Sequence, residues 1–287
     1  MEKSEESIKI QTVTTDSFSM DWFKFGRGDK TFVILPGVSV QSVMGSANVI
    51  ADAYHLLAEE FTVYVFDRRK ELPKTYSVYE MAEDTAAVFE ALGLKHINLF
   101  GASQGGMMGM TIAIRHPELV EKLILGSTAA RVSEERNQTI ANWISLAEEK
   151  NAEGLYLAFG EALYSPSVFE QSRQLMVDAA KTVTDSELER FVIIANGLEG
   201  FDLTNDLGRI RCPVLVIGDR DDRVLGGAAS EEIAAHLKDH PGCELYMYEN
   251  YGHAAFDTAP DYKQRILSFC SRTEGSNLQV RPRRLSN

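Results

Sequence analysis

Short runs rich in valine, isoleucine and leucine recur along this chain and alternate with longer segments of helical spacing. The runs are TFVILPG, FTVYVFD, HINLFG, KLILGS, PVLVIGD and ELYMYEN, which begin at positions 31, 61, 96, 122, 213 and 244. This alternation indicates parallel strands joined by crossover helices. Because the runs are continuously apolar, we expect helices to cover both faces of the sheet. SIKIQTV and FKF, around the turn at residues 26–29, suggest an antiparallel start.

Residues 97–114, INLFGASQGGMMGMTIAI, contain no charged side chain, and this neutral stretch has two interpretations. Three of its glycines recur every four residues, a spacing typical of helices that approach closely in membranes. Residues 101–105 also match G-x-S-x-G, the nucleophile elbow in which a strand turns sharply into a helix around Ser103. The stretch is a poor apolar helix without a basic flank, and it directly follows a predicted strand, so we favour the elbow.

A serine nucleophile needs a base to remove its proton and a third group to orient that base. An acid-rich loop with Asp219, Asp221 and Asp222 follows the predicted strand PVLVIGD, and His253 follows ELYMYEN. The order Ser, Asp, His is the one expected after a nucleophile elbow. All of these positions lie at carboxyl ends of strands, where open α/β sheets place their sites.

On these residues the chain resembles the α/β-hydrolase superfamily from about Lys9 to Arg272. The carriers of the resemblance are the LPG turn at 35–37, the elbow at 101–105, the loop at 218–224 and the Gly252-His253 pair. The resemblance implies a mostly parallel eight-stranded sheet with helices on both faces and an inserted helical cap. It also implies Ser103 as the nucleophile and His253 as the general base.

The triad acid has two candidates by resemblance. Counting from Gly218 in the family's G-x-x-D pattern gives Asp221, whereas the D-x-V pattern gives Asp222, followed by Arg223 and Val224. We favour Asp222 because the D-x-V match defines the turn after the acid. Asp219 is the poorest candidate because it lies so near the strand end.

The resemblance places the oxyanion hole at two backbone N–H groups. One belongs to Gln104, the residue after the nucleophile, and Val38 fits the other by position. The superfamily often has a His-Gly pair in this loop, whereas this chain has Pro36 and Gly37. Because the donor is a backbone N–H group, this departure is compatible with an oxyanion hole.

Between the predicted strands KLILGS and PVLVIGD, four amphipathic helical patterns replace the strand pattern. We therefore predict a helical cap over 134–203, inserted into a core formed by 1–133 and 204–272. The aromatic residues of the cap favour an uncharged or partly apolar substrate. Residues 273–287 are polar and basic, and we predict a disordered tail there.

Composition limits the functional classes. A formal net charge of −13 argues against a nucleic-acid or anionic-membrane partner. Cys212, Cys243 and Cys270 show no disulfide or zinc spacing, and the N-terminus lacks the apolar segment of a signal peptide, so we expect a cytoplasmic protein. His236 and His240 lie four residues apart without a third ligand pattern, and we predict a solvated helix face rather than a metal site.

The predicted activity is that of a serine hydrolase that cleaves a small carboxylic ester or related acyl substrate, with no metal or organic cofactor required. Lactonase, thioesterase, carbon–carbon hydrolase and proton-transfer lyase activities remain possible on the same triad, as does a ligand-binding sensor with vestigial turnover. Arg68, Arg69 and Lys70 leave a strand at the same sheet edge. They can bind a substrate carboxylate, which would favour the lyase, or form a solvated basic cluster, which we prefer.

Overall fold

The computed structural model describes residues 7–272, except for the side chains of residues 134–136. A single eight-stranded sheet forms its centre, with the strands in the order β1-β2-β4-β3-β5-β6-β7-β8. The strands are β1 (Gln11–Thr14), β2 (Ser19–Phe25), β3 (Lys30–Leu35), β4 (Phe61–Arg69), β5 (Ile97–Ala102), β6 (Val120–Gly126), β7 (Val214–Asp219) and β8 (Cys243–Tyr248). Strands β3 to β8 are parallel, which confirms the mostly parallel sheet.

The antiparallel start is present, but the turn at residues 26–29 does not join paired strands. Strand β1 pairs with β2 through the turn between Thr14 and Ser19, and β2 then pairs with β4 rather than with β3. Residues 26–29 carry the chain from β2 past β4 to β3, and a Cβ atom on Gly28 would lie 1.9 Å from the Glu60 carbonyl carbon. The turn residues therefore predicted a bend in the chain, but they did not predict which strands pair on either side of it.

Alternate residues of the central strands enter two separate cores. Val33 and Leu35 pack on one face of β3, whereas Phe32 and Ile34 pack on the other. Both faces are apolar because helices cover both of them. This explains the continuous hydrophobic runs of the sequence.

Ten helices surround the sheet in the described part of the chain. They are α1 (Ala47–Ala53), α2 (Val78–Ala91), α3 (Gln104–Arg115), α4 (Glu134–Glu148), α5 (Ala152–Leu163), α6 (Pro166–Ala180), α7 (Asp185–Asn196), α8 (Ala229–His236), α9 (Ala255–Thr258) and α10 (Tyr262–Cys270). Helices α4 to α7 follow one another between β6 and β7 and form the segment we call the cap. Within residues 7–272, no helix is both long and apolar enough to cross a membrane.

One predicted helix is shorter than its pattern suggests. The helical spacing over 47–60 becomes α1, a break at Tyr54 and a short 3-10 turn at His55–Leu57. Tyr54 is buried, and its ring centroid lies 6.1 Å from that of Phe100 in the sheet. Packing of this side chain against the sheet accompanies the end of the helix. The predicted tail at 273–287 lies outside the described residues.

Candidate active site

Ser103 lies in a strained turn between β5 and α3. Its backbone angles are φ 53° and ψ −121°, a region that residues other than glycine rarely occupy. Close backbone contacts surround the turn: a Cβ atom on Gly101 would lie 2.2 Å from the Gly105 carbonyl oxygen, and one on Gly105 would lie 2.0 Å from the Leu35 carbonyl oxygen. The glycines of the motif are therefore required by the packing of β3, β5 and α3 around this serine.

The loop after β3 packs directly against the nucleophile turn. The position of a Cβ atom on Gly37 lies 3.1 Å from Ser103 Cβ and 3.7 Å from Ser103 Oγ. This contact brings the loop residue Val38 to the cavity that Ser103 lines. Gln104 is the first residue of α3, and the N–H groups of a first helical turn have no intrahelical acceptor. Gln104 therefore directly follows the serine, and Val38 lines the same cavity.

The structure brings Asp222 and His253 together. Asp222 Oδ2 lies 2.8 Å from His253 Nδ1, and both side chains are buried. Asp222 Oδ1 accepts hydrogen bonds from the N–H groups of Val224 and Leu225 at 2.8 and 3.0 Å. Burial by itself raises the pKa of Asp222, but His253 and these two N–H groups outweigh it and hold the pKa below its ordinary value. The carboxylate is therefore ionised beside the imidazole.

The other two aspartates of this loop bind the backbone that precedes His253. Asp221 Oδ2 accepts a hydrogen bond from Asn250 N at 2.6 Å, and Asp219 Oδ2 accepts one from Tyr251 N at 3.0 Å. Neither carboxylate contacts the His253 ring among the hydrogen bonds of the described residues. Asp221 and Asp219 therefore hold the loop after β8 against the end of β7.

Arg68 forms a buried polar network that the sequence did not indicate. The prediction of a solvated basic cluster is wrong for this residue, which is only 3% exposed. Its Nη2 donates to Pro36 O at 2.9 Å and to Gln104 Oε1 at 2.8 Å, with a longer contact of 3.5 Å to Gly37 O. Burial lowers the pKa of Arg68 to about 10. In the sequence, only the position of Arg68 at the carboxyl end of a predicted strand indicated that it could lie near the site.

The Gln104 side chain connects this network to the cap. Its Nε2 donates to Ile194 O in α7 at 2.8 Å, while its Oε1 accepts the hydrogen bond from Arg68. Arg69 and Lys70 lie elsewhere: Arg69 packs over the Phe18 ring at 5.1 Å, and Lys70 pairs with Asp21 at 3.2 Å. The three basic residues therefore do not act together as a substrate site.

Ser103 and His253 line a cavity of about 810 Å³ that lies between the sheet and the cap. This volume is in the range of small-molecule sites. The cap contributes mainly apolar and aromatic side chains, among them Trp143, Tyr156 and Phe159. The side chains of Leu155 and Phe169, also in the cap, are buried elsewhere.

A cluster of three side chains that could hold a metal ion lies away from this cavity. Within the described residues, one cluster with close ligand atoms is found, formed by Glu90, His116 and Glu118 on the surface. His236 is exposed, and its Nδ1 lies 2.8 Å from Glu232 O in its own helix. The three cysteines are free thiols.

Comparison with known proteins identifies the fold family. A family model of the alpha/beta hydrolase fold matches residues 30–260, which is most of the chain. The chain belongs to the α/β-hydrolase family. This assignment confirms the resemblance carried by the elbow, the LPG turn and the loop after β7.

Curated relatives of this α/β hydrolase are identical to it at somewhat more than a quarter of the aligned positions. A protein of Rhizobium rhizogenes named "putative carbamate hydrolase RutD" is 28% identical over 251 residues, which cover 84% of this chain and 92% of the relative. A protein of the same name from Pseudomonas syringae is 29% identical over 237 residues, covering 78% of this chain and 88% of the relative.

Solved structures resemble it in fold at lower identity. An α/β hydrolase from a Medee basin deep-sea metagenome library superposes with a TM-score of 0.82 at 20% identity, covering 94% of this chain and all of the other. The enol-lactonase of Burkholderia xenovorans superposes with a TM-score of 0.78 at 18% identity, covering 91% of this chain and all of the other. At these identities the likeness concerns the fold.

Proposed function

We propose that this α/β hydrolase cleaves a small carboxylic ester or a related acyl substrate through Ser103, His253 and Asp222. The observation that carries the proposal is the 2.8 Å contact between His253 Nδ1 and Asp222 at the cavity that Ser103 lines. Because Asp222 occupies Nδ1, the second ring nitrogen, Nε2, is the one available to take a proton from the serine. Burial of the pair excludes water from the Nδ1 contact.

In the first half of the reaction, Ser103 Oγ attacks the acyl carbon and its proton passes to His253 Nε2. The carbonyl oxygen becomes an oxyanion, which the backbone N–H groups of Val38 and Gln104 stabilise. The bond between the acyl carbon and the leaving oxygen then breaks, and the proton on Nε2 passes to that oxygen. Asp222 stabilises the imidazolium throughout, and an acyl-Ser103 remains.

In the second half, a water molecule attacks the acyl carbon and gives a proton to His253 Nε2. The same two N–H groups stabilise the second oxyanion. When the bond to Ser103 Oγ breaks, the proton returns to the serine and the acid leaves. Every proton transfer therefore uses one nitrogen of one imidazole.

A carbamate is a related acyl substrate, because its carbonyl carbon also bears a leaving oxygen or nitrogen. The name of the relatives from Rhizobium and Pseudomonas makes carbamates the second substrate class to test. Of the alternatives, the proton-transfer lyase is the one that a basic pocket would favour. The side chains that line the cavity, in the part of the chain that the structure describes, include neither lysine nor arginine, which argues against the lyase.

The test is intact mass after incubation with a fluorophosphonate, which phosphonylates only an activated serine. We expect one adduct on the wild-type protein and none on Ser103→Ala. Ser46→Ala is the matched control, because Ser46 also lines the cavity but its side chain makes no capping hydrogen bond, and its adduct should persist. Esters, lactones, thioesters and carbamates of short acyl groups would follow.

An adduct that persists in Ser103→Ala would place the reactive serine elsewhere and would contradict the proposal. If the folded wild-type protein forms no adduct and hydrolyses none of these substrates, the chain is better explained as a ligand-binding protein. Location in the cytoplasm and the absence of nucleic-acid and membrane partners also remain proposals, which fractionation of cells would test.

A further inference from the structure

The cavity wall carries two acidic side chains. Glu187 lies in the first turn of α7 and Asp257 lies in α9, four residues after His253. Neither lysine nor arginine lines the cavity within residues 7–272. The negative charge of the wall therefore disfavours an anionic substrate. A carboxylate that is not fully hydrogen-bonded within the protein could bind a cationic group of the substrate.

The Glu187 carboxylate already has its hydrogen-bond donors. It accepts hydrogen bonds from Thr184 N at 2.8 Å and Thr184 Oγ1 at 2.9 Å. The first of these bonds forms the capping box of α7 together with the bond that Glu187 N donates to Thr184 Oγ1 at 3.3 Å. Gln41 Nε2 donates to its other oxygen at 3.2 Å. Glu187 therefore stabilises the start of a cap helix and has little remaining need for a substrate donor.

The Asp257 carboxylate, in contrast, has one donor among the described residues. Tyr164 Oη donates to Oδ2 at 3.3 Å, whereas Lys263 Nζ donates to the backbone oxygen of Asp257 at 3.1 Å. An ionised carboxylate accepts about four hydrogen bonds. The side chain is accessible from the cavity, so several acceptor positions are open to a ligand.

The surroundings of Asp257 leave its negative charge poorly compensated. Asp257 is exposed to solvent. The protein around its carboxylate nevertheless raises the pKa of Asp257, even though Lys263, Tyr164 and His253 act in the opposite direction. A cationic group that entered the cavity would pair with this carboxylate and favour its ionised form. The neighbouring Phe256 ring lies 6.3 Å from the His253 ring, and Asp257 lines the same cavity as Ser103 and His253.

We propose that Asp257 is a specificity residue that binds an ammonium group, or another charged N–H donor, of the substrate. This inference rests on the proposed hydrolase function. The apolar side chains of the cavity accommodate the carbon chain, while Asp257 and Tyr164 receive the amine. The substrate class is therefore an amine-bearing acyl compound rather than one with a free carboxylate.

The first experiment measures binding without catalysis. Hexylammonium and 1-hexanol have equal chains and differ in charge, and calorimetric titration of each into the Ser103→Ala protein gives a ratio of affinities. We expect the ratio of hexylammonium affinity to 1-hexanol affinity to be about tenfold lower in the double variant that also carries Asp257→Asn. This change is equivalent to about 1.4 kcal/mol. Glu187→Gln is the matched control, because glutamine preserves the capping box, and it should leave the ratio unchanged.

The second experiment measures selection during turnover. The 4-nitrophenyl esters of 6-aminohexanoate, heptanoate and, as the monoester, hexanedioate present a cation, a methyl group and an anion at similar chain length. We expect kcat/KM to be highest for the cationic ester and lowest for the anionic one. In Asp257→Asn the ratio of cationic to neutral kcat/KM should fall about tenfold, and the wild-type preference should weaken at high salt.

An ammonium preference that survives Asp257→Asn, or that is lost equally in Glu187→Gln, would overturn this inference. Equal affinity of the wild-type cavity for hexylammonium and 1-hexanol would do the same. The proposed hydrolase function fails by a different result, which is the absence of a fluorophosphonate adduct and of ester turnover. Ammonium binding that depends on Asp257 would then still hold, as a property of a binding protein.

Discussion

The turn around Ser103 and the inner face of the cap meet at one cavity, but they are built differently. At the turn, backbone atoms of β3 and α3 approach so closely that Gly105 has no space for a Cβ atom. The cap instead presents side chains, such as the Trp143 and Phe159 rings, whose centroids lie 4.4 Å apart. Changes at the turn should therefore affect catalysis or folding as a whole, whereas changes in the cap should affect which substrates fit.

The largest effect on activity should separate the two candidate acids. Asp222→Asn should lower kcat/KM for a reactive ester by about 10⁴-fold, because the amide no longer orients His253 or stabilises its charge. Asp221→Asn removes only the contact with Asn250 N and should cost less than about tenfold. Steady-state kinetics of both variants provide the measurement, and the opposite order would reject Asp222 as the acid.

The second prediction concerns the backbone contact at the turn. Gly105→Ala should lower the free energy of unfolding by about 3 kcal/mol or prevent folding, since its Cβ would lie 2.0 Å from the Leu35 carbonyl oxygen. Gly208→Ala is the control, because no atom lies within 4 Å of its Cβ position, and it should change stability by less than about 0.5 kcal/mol. Urea unfolding measures the stability of both variants. If the two variants are equally stable, the turn can accommodate a Cβ atom at residue 105.

The third prediction tests whether Arg68 positions the oxyanion loop. Arg68→Met should lower kcat by about tenfold to a hundredfold with little change in KM, because Pro36 O and Gln104 Oε1 lose their shared donor. Affinity for a trifluoromethyl ketone, which forms a tetrahedral adduct with serine, should fall in parallel. A purely structural role would lower stability without this selective loss, and Arg68→Lys should recover part of it.

The fourth prediction concerns how the substrate preference attributed to Asp257 depends on pH. The carboxylate binds an ammonium group only when ionised, so the preference for the aminohexanoate ester should disappear as pH falls. The surrounding protein raises the pKa of Asp257, and the midpoint should therefore lie above the usual aspartate range, with Tyr164, His253 and Lys263 as the facing ionisable groups. This midpoint is measured from the ratio of kcat/KM for the cationic ester to kcat/KM for the neutral ester across a pH series. A ratio that stays constant would exclude a role for protonation of Asp257.

The smallest effect is expected in the cap. Phe159→Leu should change the ratio of kcat/KM for hexanoate and acetate esters by less than about tenfold, because it alters the shape of an apolar wall and no reacting group. A loss of kcat for every ester, comparable to that in Arg68→Met, would show that cap and turn are not separable. Such a result would implicate the Gln104 contact with Ile194 O as the connection.

The sequence alone determined the elements that depend on local patterns. Continuous apolar runs separated by helical segments predicted the parallel sheet, and G-x-S-x-G between a strand and a helix predicted the turn at Ser103. The family assignment confirms the fold inferred from them. The catalytic roles of Ser103, Asp222 and His253 stay predictions until the labelling and kinetic experiments are done, although the structure does place Asp222 against His253.

Tertiary structure alone decided the choices that depend on contacts between distant segments. Asp221 and Asp222 are adjacent in sequence, and only the position of the loop after β8 distinguishes the one bound to Asn250 N from the one bound to His253. Arg68 resembled its neighbours Arg69 and Lys70 until β4 was placed beside the Gln104 turn. Asp257 likewise became a candidate binding residue only when Tyr164 and Lys263 left most of its carboxylate unoccupied. Spacing along a chain predicts local geometry, whereas burial and hydrogen-bond partners result from packing between segments far apart in sequence.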